Sequence, residues 1–249
     1  MAELSKVEEK ILEKYRLCLK DTSPQVMVKG SELLNEDRLI RLFNDNLQIK
    51  YNTDKQQVLG SMLVKSYAFL AALVLYSMSV FNKGINSSID NLFLYTEEDD
   101  PFWLPSFHFV NSAVTTPASS RNEWRDGVLE VLFKHNIALM ITTISKVSRV
   151  AKVILWENVA LYIFWMYEST LEDKDLSEET KARIRDDFSY VVMEAAPHLF
   201  GVKAKNPLAP FFHEKQNDIR KRSTCCLFYL TSKNNDRCNT CPIECISPN

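Results

Sequence analysis

Apolar positions recur along most of this chain at intervals of three and four, the spacing of helices that bury one face. Ser5 and Glu8 form a capping-box pattern ahead of Val7, Ile11, Leu12 and Tyr15. A second predicted helix covers Glu36 to Gln48, with Leu39, Ile40, Leu42 and Phe43 on its inner side. Thr53 and Gln56 open a third, running toward Phe81. Ser120 and Glu123 repeat the capping box before Val128, Leu129, Val131 and Leu132. The pattern then stays helical from about Asn136 to Glu168, with room for one break, and a last long helix runs from Ser177 to about Ala196, before Pro197.

The middle reads differently. "NLFLYTEEDDPFWLPSFHFVNSAVTTP" is aromatic and β-branched and is punctuated by Pro101, Pro105 and Pro117. Two short strands in a hairpin fit it, joined through the acidic run Glu97 to Asp100. That run is either a solvated turn or a docking patch for a basic partner. The expected fold is therefore mainly α: a helical domain with a small antiparallel β element and a C-terminal cysteine-rich tail, read below as an iron–sulfur tail from its cysteine spacing and family resemblance. Residues 1–219 form the body, which carries the substrate site, and residues 220–249 form a cysteine-rich segment too small to fold alone.

Composition narrows the function. The chain has 249 residues and a net charge of −2, which gives no electrostatic support for nucleic-acid binding. Its five glycines, Gly30, Gly60, Gly84, Gly127 and Gly201, are too dispersed for a phosphate-cradling loop or a dinucleotide fingerprint. "MAELSKVEEKILEKY" is charged and lacks the apolar stretch of a secretory signal, so a cytoplasmic location is expected. The segment from Ser61 to Phe81 is apolar but holds Lys65 and several serines, and a buried core helix is the preferred reading over a membrane span.

The chemistry concentrates at the end. Cys225, Cys226, Cys238, Cys241 and Cys245 account for five of the six cysteines, and Cys18, on the N-terminal helix, is read as a small buried hydrophobe. In a reducing compartment thiolates holding a metal are a better reading than disulfides. A C-x2-C pair such as Cys238 and Cys241 converges on a metal from a tight turn. Adjacent cysteines converge only from a turn or an element end, because neighbouring side chains of a strand point apart. Spacing alone leaves iron–sulfur ahead of zinc, with a vicinal disulfide behind both.

"RKRSTCCLFY…RCNTCP" resembles the C-terminal signature of the FhuF-like ferric siderophore reductases. "ILWENVALYIF", "KNPL" and the basic residues before the double cysteine resemble that family too, and the related C-terminal domain of siderophore synthetases. The resemblance implies a 2Fe-2S cluster on Cys225, Cys226, Cys238 and Cys241. The spacer between the cysteine pairs here has eleven residues where the family pattern has ten, which leaves Cys245 as an alternative fourth ligand. It also implies a cytosolic ferric siderophore reductase that passes one electron to Fe(III) held by hydroxamate or citrate-hydroxamate oxygens. The electron would come from a ferredoxin or a reductase, and the protein would work peripherally to the membrane near a siderophore importer. The competing reading is a non-enzymatic siderophore- or partner-binding helical domain with a zinc-stapled tail.

Candidate substrate contacts are basic residues beside aromatic surface. Arg220, Lys221 and Arg222 precede the double cysteine and serve either as substrate contacts, as charge compensation for a cluster or as a solvated turn. Lys146, Arg149, Val153 and Trp156 fall on one helical face by their i, i+3, i+7, i+10 spacing, and that face either meets a ligand or packs a tryptophan under snorkelling basic chains. The histidines, His108, His135, His198 and His213, have no ligand-like spacing.

Overall fold

The computed structural model describes residues 2–18, 26–97, 100, 103–232, 234 and 236–243. Helix α1 (Lys6–Leu12) begins as the sequence predicts: the Ser5 hydroxyl accepts the Glu8 N–H, and the Glu8 carboxylate accepts the Ser5 N–H at 2.6 Å. Cys18 lies beyond this helix rather than on it. It is half-buried, and its N–H donates to the Phe107 carbonyl at 2.8 Å. Helix α2 (Glu36–Leu42) passes through a π turn at Phe43–Leu47 into the short α3 (Gln48–Tyr51), which the left-handed Asn52 ends. Leu39, Leu42 and Phe43 face inward as expected, but Ile40 is 37% exposed.

The centre of the fold is the run Gln56–Val80, made of α4 (Gln56–Tyr67) and α5 (Phe69–Val80). It is apolar on all sides because other helices surround it. Helix α8 (Lys152–Leu171) packs along both halves, with α7 (Ala138–Ser148) against α4 and α9 (Glu178–Ser189) against α5. Two runs, Gln56–Val80 and Arg121–Ser148, are long and apolar enough to cross a membrane, and 89% and 50% of their most apolar windows are buried within the protein. The first is thus the core helix expected from the sequence. Gly60 permits the closest approach of α4 to α7, since a β-carbon there would overlap the Ser148 hydroxyl.

Helix α6 (Arg121–Leu132) continues through a π turn at Phe133–Ile137 into α7. Ser120 accepts the Glu123 N–H at its start. Two arginines clip α6 to α9. Arg121 binds Asp187 through both nitrogens at 2.8 and 2.6 Å, and Arg125 reaches Asp186 at 2.7 Å and Asp187 at 2.9 Å.

The predicted hairpin is present as β3 (Leu92–Thr96) and β4 (Ser106–Phe109), antiparallel with Leu94 opposite Phe107. A third strand, β1 (Val26–Lys29), pairs on the outer side of β3, with Val28 opposite Leu94. The short β2 (Gly84–Ile85) pairs with β5 (Val114–Thr115). Part of the acidic run, Glu98 and Asp99, lies outside the described residues. At its end Asp100 makes local contacts, its carboxylate accepting the Leu104 N–H at 2.6 Å and its carbonyl the Lys50 ammonium at 2.6 Å.

Between α9 and the tail the chain is an ordered loop. Asn206 of the "KNPL" stretch is buried, donates to the Val191 carbonyl at 2.9 Å and accepts the Leu208 N–H at 2.9 Å.

Candidate metal centre and the adjoining cavity

Glu157 and Asn158 occupy the middle of α8, where they are 1% and 0% exposed. Polar groups buried so deeply must be hydrogen-bonded. The tail supplies their partners. Glu157 accepts the Ser223 N–H at 2.5 Å, the Thr224 N–H at 2.9 Å, the Thr224 hydroxyl, and the Arg222 guanidinium at 3.2 Å. Asn158 accepts from the same guanidinium at 2.7 Å and donates to the Ser61 carbonyl and hydroxyl at 3.0 and 3.1 Å. The Ser61 hydroxyl in turn donates to the Cys226 carbonyl at 2.7 Å. Arg222 also donates from its backbone to the Thr240 carbonyl at 2.7 Å. One buried network therefore joins α4 and α8 to both cysteine pairs of the tail.

This network answers how adjacent cysteines serve one site. The turn after them is sharp: Leu227 is left-handed at φ 65°, and its N–H points to the Cys225 sulfur at 3.4 Å. The Cys226 sulfur lies 3.8 Å from that of Cys238. A tight turn closes the C-x2-C pair, with the Cys241 N–H on the Cys238 carbonyl at 2.9 Å. All four thiols are free of disulfides.

The surroundings of the sulfurs differ. The hydrogen bond from Cys238 holds the Cys226 thiol below its ordinary value against the opposing effect of burial, with Lys65 and Arg222 adding their charge. The same bond, then burial, pushes Cys238 up. Burial raises Cys225. The Arg237 guanidinium lies 3.8 Å from the Cys241 sulfur. Among the described residues no group of three or more His, Cys, Asp or Glu is placed to hold a metal ion. The Cys226 and Cys238 thiols meet as one pair, Cys225 and Cys241 supply two more, and a two-iron cluster takes two thiolates on each iron. The donor set fits a 2Fe-2S cluster. Cys245 lies outside the described residues.

A cavity of about 670 Å³ opens against this centre. Phe69, Tyr162, Phe164 and Trp165 form its aromatic side, and Lys65, Lys215, Arg220 and Glu168 its charged side. Asn239 and Thr240, the two residues between Cys238 and Cys241, complete the wall. Arg220 stacks over Phe164 and Phe212, its guanidinium 5.1 and 4.5 Å from the ring centres. Glu168 binds both Arg220 and Lys215 at 2.8 Å.

The structure separates the basic residues that the sequence groups together. Arg220 lines the cavity, whereas Arg222 is buried behind the double cysteine. Both have carboxylate partners, so neither is a solvated turn residue. Lys146, Arg149 and Trp156 do not share a face and do not line this cavity. The helix breaks at Arg149, which is left-handed at φ 58°, and the Ser145 hydroxyl donates to the Val150 carbonyl across the break. Lys146 pairs with Glu36 at the surface, and Trp156 is buried beside Phe133 and Phe200.

Sequence reasoning did not single out Glu157 or Lys65 as site residues. Their signal was present: a Glu-Asn pair inside an apolar helix, and one charge in the run Gln56–Val80.

Residues 222–242 match the family model described as the FhuF 2Fe-2S C-terminal domain. The match supports a place in the FhuF-like family. It is confined to the tail and does not extend to the likeness between the body and the siderophore synthetases. No curated protein matches the chain.

Proposed function

We infer that this chain, with the FhuF 2Fe-2S C-terminal signature in its tail, acts as a ferric siderophore reductase. The observation that carries the reading is the shared wall: Asn239 and Thr240 belong at once to the C-x2-C loop and to the lining of the cavity. A chelate held there lies against the thiol centre. When bound by Cys225, Cys226, Cys238 and Cys241, a 2Fe-2S cluster supplies one electron to the substrate Fe(III). Fe(II) carries less charge and is held more weakly by hard oxygen donors, so the metal is released and the chelator survives.

The chain's own residues bind and orient. Phe69, Tyr162 and Trp165 offer flat apolar surface to the organic scaffold of a siderophore and exclude water from it. Lys65, Lys215 and Arg220 face Glu168, Glu172 and Asp218, three cations against three carboxylates. Such a lining favours a chelate without net charge, as when three hydroxamates neutralise Fe(III), over a strongly anionic one. The reaction needs no acid or base at the metal. In this reading the protein works in the cytoplasm beside a siderophore importer and draws electrons from a ferredoxin or a reductase.

The test is anaerobic. Protein reconstituted with iron and sulfide should be reddish-brown, bleach under dithionite, and regain colour with one equivalent of a ferric tris-hydroxamate as Fe(II) appears. A colourless zinc protein, or a reduced protein that no ferric chelate reoxidises, would overturn the reading.

A further inference from the structure

Lys65 is the one charged residue in the run Gln56–Val80, which forms the buried centre of the fold. A charge in such a helix is costly unless something compensates it. Among the described residues no carboxylate forms an ion pair with Lys65. Its ammonium lies over the Phe228 ring, 4.7 Å from the centre, and the half-buried side chain lines the cavity. The cation–π contact places the charge at the start of the tail's 3-10 turn, Phe228–Thr231, directly after the double cysteine. One turn earlier on the same face of α4, the Ser61 hydroxyl donates to the Cys226 carbonyl at 2.7 Å, so this face also carries the double cysteine.

One ammonium thus borders two compartments, the cavity and the thiol centre. The other cations of the cavity are differently placed, because Lys215 and Arg220 are both engaged by Glu168. We propose that Lys65 is the charge that couples the two: its ammonium holds the oxygen face of the bound chelate and, from the same position, would stabilise the negative charge that one-electron reduction adds to a cluster held by the four thiols. This rests on the reductase reading and adds to it the residue that links substrate binding to redox poise.

The electron count is simple. One electron from the reduced ferredoxin or reductase would pass, by way of a 2Fe-2S cluster held by Cys225, Cys226, Cys238 and Cys241, to Fe(III), which becomes Fe(II). No bond forms or breaks on the protein, and Lys65 keeps its proton throughout. Its contribution is electrostatic at both ends, so arginine should preserve it and methionine, of similar length, should remove it.

Two measurements test this with K65M and K65R. The first is binding of the Ga(III) tris(acetohydroxamate) complex to the reconstituted protein. Ga(III) resembles Fe(III) in charge and size but does not accept the electron, so binding is read without turnover. K65M should bind this probe several-fold more weakly, and K65R within about twofold of wild type. The second is a mediated redox titration. K65M should lower the ratio of reduced to oxidised centre at fixed potential by up to about tenfold, which for one electron is about 59 mV. K65R should stay near wild type. If K65M leaves either quantity unchanged, or if K65R fails to restore both, the coupling role is overturned. Thermal melts of each variant identify any loss caused by misfolding. Wild-type protein that binds the Ga(III) probe and is reoxidised by ferric chelates while K65M is indifferent would remove the Lys65 role alone. Wild-type protein that does neither would remove the reductase reading as well.

Discussion

The carboxylate of Glu157 accepts both the Ser223 and Thr224 N–H groups, at 2.5 and 2.9 Å, so one residue of a core helix sets the backbone that leads into Cys225 and Cys226. Glutamine cannot replace it without turning an amide NH2 toward a donor. Breaking a buried ion pair by removing one partner typically costs about 3–5 kcal/mol, and Arg222 and Glu157 are such a pair. E157Q should therefore retain a folded helical body and lose most of its bound iron. Iron and sulfide analysis beside far-ultraviolet circular dichroism checks this, and full iron content in E157Q would show that the tail positions its thiols without the helix.

Each of C225S, C226S, C238S and C241S should abolish or bleach the visible absorption of the reconstituted protein, since each removes one of the four thiols a 2Fe-2S cluster needs. C245S should keep it. Loss of the cluster in C245S with retention in C241S would exchange the two as fourth ligand.

Iron removal should loosen the tail more than the body. The core around α4, α5 and α8 is apolar and closed without the tail's metal, whereas a short metal-binding segment draws much of its order from the metal. The apo protein is expected to keep most of its helical circular dichroism while limited proteolysis shifts to the region after Arg220. Global unfolding on gentle chelation would contradict this.

Trp165 and Trp156 give a positional test of the substrate site. Trp165 lines the cavity and is 43% exposed, whereas Trp156 is buried against Phe133 and Phe200. Binding of a ferric chelate should quench tryptophan fluorescence in wild type, and W165F should lose most of that response. K146E and R149E should bind with unchanged affinity. A full response in W165F with weakened binding in K146E would move the site to α7.

The Glu8–Lys83 pair predicts a small acid sensitivity. Burial raises the Glu8 pKa, but the Lys83 ammonium at 2.7 Å and the Ser5 N–H and hydroxyl outweigh it, leaving the carboxyl below its ordinary value of 4.5. A folded-state pKa below the unfolded one contributes stability above about pH 4.5 that is lost as pH falls through the folded value. Wild type should exceed E8Q by up to about 1 kcal/mol at neutral pH. The gap should narrow as pH falls below 4.5, as denaturant titrations at neutral and acid pH would report.

Local signals carried much of the fold. Periodicity and caps place the helices because an amphipathic face and an N-cap are properties of a few neighbouring residues: Ser5 with Glu8 is a complete box, and Ser177 caps α9 through the Thr180 N–H. The β3–β4 hairpin was legible for the same reason. The strand β1 was not, since four residues carry too little pattern to reveal a partner at Phe93–Thr96. The four cysteines are likewise visible as chemistry, because thiolate pairs at short spacing have few other uses.

What each charge does was decided only by the tertiary structure. Arg220 and Arg222 are two residues apart, yet one borders a cavity and the other is buried on a glutamate 65 positions away. The Lys146–Trp156 face required helical geometry to persist through Arg149, and a single left-handed residue ended it. Lys65 reads as a blemish in an apolar run until the tail folds over α4 and places Phe228 beneath its ammonium. Burial and ion pairing depend on contacts between distant segments, so residue type and spacing reveal which groups are capable of chemistry, while the packing of α4, α8 and the tail determines which of them meet.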